Sequence, residues 1–358
     1  MNGIPCLLIR GGTSKGAYFE AKDLPTETAA RDDLLLRIMG SPDPRQIDGI
    51  GGGHPLTSKV AVISPSEDPN ADVDYLFLQV SVDKAEVSDS QNCGNLLAGV
   101  GPFAVERGLV RADTDRSRVR IRMVNSDSIA TATFSTPGGE VQYAGDVAID
   151  GVPGTAAPIS LTFSDTAGST CGALLPTGQV VDTVDGVEIT CIDNGMPVVI
   201  LDAADLGITG YESPETLEAN TDFTARLEHT RLLAGKLMGL GDVSTKTVPK
   251  MTLVSAPGGD GALNTRTFIP FRCHTSIGVL GAITVGTAAR IPGSVAQRLS
   301  RTTEGNVVRI EHPTGFFDVE IDVRQDDAGD VRVEYAAALR TARKLFDGRV
   351  FPHAAYTA

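Results

Sequence analysis

Short runs of alternating or continuous β-branched and apolar residues punctuate the chain at intervals of roughly ten residues, the pattern of strands bounded by turns. In the first half they are PCLLIRG, KVAVIS, DYLFLQVSV, RVRIRMV, IATATFST, VQYAGDVAI and PISLTFS. In the second half they are VEITCID, MPVVILDA, KMTLVSA, LNTRTFIP, VVRIEH, FFDVEIDV and VRVEYAAAL. Two stretches carry apolar residues at helical spacing behind a Thr or Ser cap: TETAARDDLLLRIMG and SPETLEANTDFTARLEHTRLLAGKLMG. Two more, CGNLLAGVGPFAVERGL (93–109) and HTSIGVLGAITVGTAAR (274–290), are apolar on nearly every side. A helix of that kind belongs inside a sheet, not on its surface, and Pro102 is expected to kink the first. Each half therefore predicts many strands around one inner helix. The turn residues Pro176, Gly178 and Gly186 place the boundary near residues 174–186, giving domains 1–180 and 181–358.

Composition narrows the class. The chain has 358 residues, 41% hydrophobic and 21% charged, as in a folded two-domain protein. No apolar run approaches the roughly 18 residues of a membrane span, and MNGIPCLLIRGG lacks the features of a secretion signal. The five cysteines are scattered and form no Cys-x-x-Cys pair, which fits a reducing cytoplasm. A net charge of −14 argues against a nucleic-acid partner. An acidic protein that binds an acidic metabolite must gather positive potential locally, through lysines, arginines and helix N-termini.

Gly-rich segments carrying lysine supply such places twice. RGGTSKG (10–16) and DGIGGGHPLTSKV (48–60) both run from paired glycines into Thr-Ser-Lys. Neither is a phosphate-binding P-loop, because Ser14 precedes Lys15 and the spacing of that motif fails. Each has two readings: a tight turn with a solvated lysine, or hydroxyls and amides (Thr13, Ser14 and Lys15; Ser58 and Lys59) arranged around an anion. A lysine at a strand's start is ordinarily exposed; an enclosed one loses solvation of its ammonium form and can act as a base.

QNCGN (91–95) sits where the first inner helix begins. Cys93 there is either a small buried hydrophobe or a thiol favoured as thiolate by the helix N-terminus. Asn92 and Asn95 beside it argue for the polar role, and Gly94 permits close backbone approach. The remaining cysteines read as structural, and Cys273–His274 lacks spaced partners for a metal. His54, His229, His312 and His353 read as isolated and solvated. His274 is expected at the start of the second inner helix with Thr275, Ser276 and Gly278 behind it, a second anion site, and Arg266 in the preceding strand is a natural carboxylate fork.

Seven segments, RGGTSKG, QIDGIGGGHPLTSKVAV, QNCGNLLAGVGPFAVERGL, CGALLPTG, IDNGMPVV, HTSIGVLGA and LRTARKLFDG, together resemble the PrpF-like isomerase family, and within it the 4-oxalomesaconate tautomerase branch. The resemblance runs from about Pro5 to Gly348. It implies an α+β fold of the diaminopimelate epimerase type: two pseudo-symmetric domains, each a curved, mostly antiparallel sheet around a central hydrophobic helix, with the active site in the cleft between. It further implies a cofactor-independent isomerase, without a metal, that shifts a proton in a small tricarboxylic keto acid of gallate and protocatechuate 4,5-cleavage. The family's catalytic lysine falls on Lys59 and its active-site cysteine on Cys93. The amides of Gly94 and Asn95, and those of Ser276, Ile277 and Gly278, fall where carboxylates are held. Two departures stand out. The second half offers Thr275 and Ser276 where the epimerases carry a second cysteine, and His54 stands where close relatives are expected to carry an acid. Rival readings are a 2-methylaconitate or aconitate isomerase and a non-catalytic tricarboxylate-binding protein. Enol against shifted-alkene product, and a homo-oligomeric state, stay open.

Overall fold

The computed structural model describes residues 3–164, 166–302, 305–326 and 331–354. The chain divides into two compact units, residues 1–161 with 340–358, and residues 162–339.

The first unit is built on strands β1 (Ile4–Gly11), β2 (Ser14–Glu20), β3 (Lys59–Pro65), β4 (Val73–Val80), β5 (Val87–Ser88), β6 (Arg116–Met123), β7 (Ser128–Ser135) and the start of β8 (Pro158–Ser164), with helices α1 (Thr28–Met39) and α2 (Gly94–Glu106). β1 and β2 form a hairpin, β2 and β3 run parallel, and β3 pairs antiparallel with β4. Successive side chains of a strand point to opposite faces, and this period sorts the unit. Ala17, Phe19, Val60, Val62, Leu78 and Val80 share a core cluster with Leu35, Ile38 and Met39 of α1. Gly16, Tyr18, Lys59, Ala61, Tyr75 and Phe77 consequently face the other way, toward α2. That helix is buried at every position from Gly94 to Ala104, as its all-round apolarity requires. It runs on through Pro102 to Glu106.

The second unit contains β9 (Asp182–Val184), β10 (Val187–Asp193), β11 (Pro197–Asp202), β12 (Lys250–Ser255), β13 (Leu263–Ile269), β14 (Arg272–Cys273), β15 (Val307–His312) and β16 (Gly315–Gln325). Its helices are α3 (Pro214–Ala219), α4 (Thr221–Leu237), α5 (Val279–Ala288) and α6 (Val295–Leu299). α5 is buried throughout, against strands including β11 and β16, while α4 covers the opposite face through Phe223 and Leu227.

Four expectations change. The single long helix at 213–239 is two, because Asn220 leaves helical geometry (φ −84°, ψ 93°) and caps α4 by accepting a hydrogen bond from Phe223 N–H. VQYAGDVAI forms no strand; Val147 makes only an isolated bridge to Ala156, where Gly145 passes tight against the Ala157 backbone. The domain boundary is neither at 181 nor single. Strand β17 (Val331–Val350) pairs with β16 over its first half and with β1 over its second, so the C-terminal segment returns to the first unit. The inner helix of the second unit starts at Val279, not at His274, since Gly278 is extended (φ −70°, ψ 148°).

Candidate active site

Lys59 opens β3 and Cys93 immediately precedes α2. The strand period turns Lys59 to the α2 face, and there its Nζ lies 3.5 Å from Cys93 Sγ, with both residues buried. Lys59 Nζ also lies over the Phe77 ring, 5.1 Å from its centroid. Two tyrosines fix the helix end: Tyr75 donates its hydroxyl to the Cys93 carbonyl at 3.1 Å, and Tyr18 donates to that of Leu96. Burial pushes both phenols well above their ordinary range, with the neighbouring Cys93 adding to it, so they remain hydrogen-bond donors.

The two Thr-Ser-Lys segments are neighbours. β2 and β3 are parallel, with Gly16 opposite Lys59. Lys15 Nζ reaches the second glycine loop, 3.4 Å from where a Cβ on Gly52 would sit. That loop is organised by Gln46, a buried residue at φ +47°. Its amide donates to Ser41 Oγ at 3.0 Å and Ser58 Oγ at 2.7 Å, and its carbonyl oxygen accepts Gly53 N–H at 2.9 Å. His54 caps the short turn Pro55–Thr57 by accepting from Leu56 N–H at 3.1 Å.

Asn95, in the first turn of α2, donates to Thr13 Oγ1 at 3.0 Å, joining the first Thr-Ser-Lys loop to the helix. Among the described residues, three buried oxygens around this junction have no hydrogen-bond partner: Ser14 Oγ, Asn92 Oδ1 and Asn95 Oδ1. An unsatisfied buried polar atom costs about 1–3 kcal/mol, so three on segments that meet at Cys93 mark a place shaped for a polar ligand. The backbone N–H groups of Gly94, Asn95 and Leu96 lack intrahelical acceptors for the reason that every first turn does. Together they can hold an anion beside the amine and the thiol.

Close approach demands glycine here. A Cβ on Gly11 would overlap the Asn95 carbonyl oxygen. Gly12, at φ +51°, lies equally tight against the Asn95 side chain. Gly11→Ala should therefore push the α2 N-terminus away from Lys59. We expect a Tm lowered by several degrees, an overpacking cost of ~1–3 kcal/mol, and a proportionally larger loss of kcat/KM. Unchanged kinetics in a variant with a lowered Tm would show that the α2 end does not position Cys93.

In the second unit, Ser276 N–H donates to His274 Nδ1 at 2.8 Å, and Ser276 Oγ lies 3.2 Å from His312 Nε2. Thr275 is exposed, while its carbonyl accepts from Thr314 Oγ1 at 2.9 Å. Ile277 is buried, and Gly278 N-caps α5. Ser276, Ile277 and Gly278 thus lie in the loop ahead of α5, not in its first turn. His312 is not the solvated residue expected; it is buried at the end of β15. Arg266 does not act as an open fork. It shares a strand face with Phe268, which packs on Phe223 of α4. Its guanidinium donates to the Glu212 carbonyl at 2.8 Å, Asn264 Oδ1 at 3.0 Å and the Thr265 carbonyl at 2.8 Å. Sequence reasoning missed Gln46, Tyr75, Phe77 and His312. Tyr75 and Phe77 carried a usable signal, since they alternate on β4 in register with the Lys59 face.

The chain is 61% identical over 353 residues to a (4E)-oxalomesaconate Delta-isomerase of Novosphingobium sp. (strain KA1), covering 98% of each. It is 59% identical to a 4-oxalomesaconate tautomerase of Pseudomonas putida, over 97% of this chain and 95% of that one. The crystal structure of a methylitaconate-delta-isomerase superposes with a TM-score of 0.82 at 38% identity, covering 96% of this chain and 94% of that one. A probable proline racemase from Agrobacterium radiobacter K84 shares the fold alone, with a TM-score of 0.60 at 15% identity over 97% and 93% of the two chains. The family description "PrpF protein" matches residues 1–353, and the chain, with the paired amine and thiol on its α2 face, belongs to the PrpF family.

Proposed function

We propose that this protein is an isomerase that moves one proton across three carbons of 4-oxalomesaconate, in the breakdown of gallate and protocatechuate after 4,5-cleavage. The observation that carries the reading is the 3.5 Å contact between the buried Lys59 amine and Cys93 thiol. A C–H flanked by a conjugated carbonyl loses its proton as a dienolate when the charge is held. Lys59 Nζ, as free amine, takes that proton and leaves the electron pair delocalised toward the carbonyl. Cys93 S–H then returns a proton to the far carbon, which relocates the C=C bond and leaves a thiolate beside an ammonium. Proton transfer across the Lys59–Cys93 contact restores both groups, so the cycle closes on the chain's own side chains and calls for no cofactor. The first-turn amides of α2 with Thr13, Ser14 and Lys15 hold a carboxylate, and the same positive potential favours the dienolate. Ser58, Asn92, Gly94 and Asn95 line this arrangement, and the loop of His274, Thr275, Ser276, Ile277 and Gly278 is a second set of polar groups suited to a carboxylate.

The relatives carry the names of both a delta-isomerase and a tautomerase. Two proton-bearing groups side by side favour return of the proton to carbon. The five free cysteines fit a reducing, cytoplasmic compartment. Among the described residues no helix is long and apolar enough to cross a membrane. The test is turnover of 4-oxalomesaconate against trans-aconitate by ultraviolet absorbance, with the product identified by NMR in deuterated water. Solvent deuterium should enter a single product carbon, with 4-oxalomesaconate the preferred substrate. Preference for trans-aconitate would move the chain to the rival isomerase reading, and binding without any exchange would make it a carrier.

A further inference from the structure

The second unit holds a surface cavity that the Lys59–Cys93 chemistry leaves unused. Its volume is about 190 Å³, and it lies where the ends of α5 and α6 approach β15. Arg290, Arg301, Gln297 and Thr302 are among the residues that line it. Both guanidinium groups are held by backbone. Arg290 follows α5, and its Nη2 donates to the Gly305 carbonyl at 2.7 Å and the Val307 carbonyl at 3.2 Å. Arg301 donates through Nη1 to the Gly259 carbonyl at 2.6 Å and through Nη2 to that of Pro257 at 3.4 Å.

Neutral acceptors fix a guanidinium without balancing its charge. Among the described residues neither arginine meets a carboxylate, whereas the nearby Arg298 and Arg309 are paired with Glu188 and Asp318. In a chain of net charge −14, two positive charges left unbalanced at one cavity invert the local potential. Arg290 also keeps a donor idle: its Nε is buried and has no hydrogen-bond partner among the described residues. A buried donor on a charged group carries a desolvation cost that an incoming acceptor removes. Gln297 adds another donor. Its Oε1 accepts from Gly293 N–H at 3.2 Å, which leaves the side-chain NH₂ to donate elsewhere. The negative end of α5 is blunted, because the Thr287 carbonyl accepts from Arg290 N–H and the Ala288 carbonyl from Ile291 N–H and Ser294 Oγ.

We propose that this cavity binds a compact dianionic oxyanion of the phosphate type between Arg290 and Arg301. Two fixed guanidinium groups match two negative charges, and their N–H geometry suits phosphate oxygens. Gln297 and Thr302 supply neutral donors. The volume admits one inorganic phosphate, or the phosphoryl end of a small metabolite. Every residue of the site belongs to the second unit, and the proposal does not depend on the isomerase reading.

The experiment titrates inorganic phosphate into the full chain by calorimetry, with ionic strength held constant by chloride. Methyl phosphate and malonate are titrated as companion probes, and Arg290→Gln, Arg301→Gln and Gln297→Leu are compared with wild type. Wild type should bind phosphate saturably. Each arginine variant should weaken binding by about tenfold or more, as for a lost hydrogen bond to a charged group, and Gln297→Leu by about threefold. Crystals of the wild type grown without phosphate or sulfate and soaked in selenate should show a selenium peak between the two arginines, a readout that needs no variant to fold. Methyl phosphate binding alongside phosphate would uphold the site for a phosphoryl group, and its exclusion would uphold it for free phosphate alone. Phosphate binding of unchanged strength in both arginine variants would place the anion elsewhere and overturn the proposal. Malonate bound more tightly than phosphate would overturn it too, as would a wild type that binds no phosphate. A selenate peak without binding in solution would be an ion held at crystal concentration only, and would likewise overturn it.

Discussion

Lys59→Met is expected to abolish measurable isomerisation while leaving the first unit folded. Loss of a positioned general base typically lowers kcat by ~10² to 10⁴, and Lys59 Nζ is the amine in contact with Cys93 Sγ. Methionine has nearly the length of the lysine stem and can lie over the Phe77 ring, which Nζ now approaches to 5.1 Å. The strand loses no backbone pairing, because Lys59 is held in register opposite Gly16 and Gln79 by its main chain. A Tm within a few degrees of wild type is the expected companion result. Exchange of the substrate C–H with deuterated water should disappear together with turnover, since both begin with the same proton removal. Near-wild-type turnover in a folded Lys59→Met protein would remove the lysine from the mechanism and pass the basic role to the thiol.

Much of this was legible in the sequence, and the reason is periodicity. KVAVIS has to put Lys59 on the face opposite Val60 and Val62, and an all-apolar helix beginning at Gly94 can only sit inside the sheet. Together those two facts bring amine and thiol to one face. The parts that were not legible depend on contacts between residues far apart in the chain. Arg266 looked like an open fork because nothing local reveals that Glu212, on another segment, offers its carbonyl. His312 looked solvated because the burial of a strand's last residue is decided by the loop from His274 to Gly278, which folds over it. The return of β17 to β1 was hidden for the same reason: LRTARKLFDGRV carries too many charges to read as a strand, yet its backbone pairs with Ile4–Gly11 along its length. The start of α5 was misplaced by five residues because no residue type in HTSIG marks where the helix begins, while the extended backbone of Gly278 caps it and sets its first turn at Val279.

Cys93→Ser separates the two halves of the proposed cycle. The substitution is nearly isosteric, and the residue's backbone role is independent of its side chain: the carbonyl accepts from Tyr75 Oη and from Leu97 N–H, and no side-chain cap bond exists to lose. The α2 N-terminus should therefore stay in place, with a Tm close to wild type. Chemically the change is large, because a serine hydroxyl is a far weaker acid than a thiol. Lys59 can still remove the substrate proton, and its ammonium can return a proton to the carbon it left. The far carbon, however, loses its donor. Cys93→Ser should then retain exchange with deuterated water at one substrate carbon while net isomerisation falls by ~10² or more, the range for a lost general acid. Equal loss of exchange and isomerisation would mean that the thiol takes part in the first proton removal. Retention of both would reduce Cys93 to a wall of the site, and the 3.5 Å contact with Lys59 Nζ to packing.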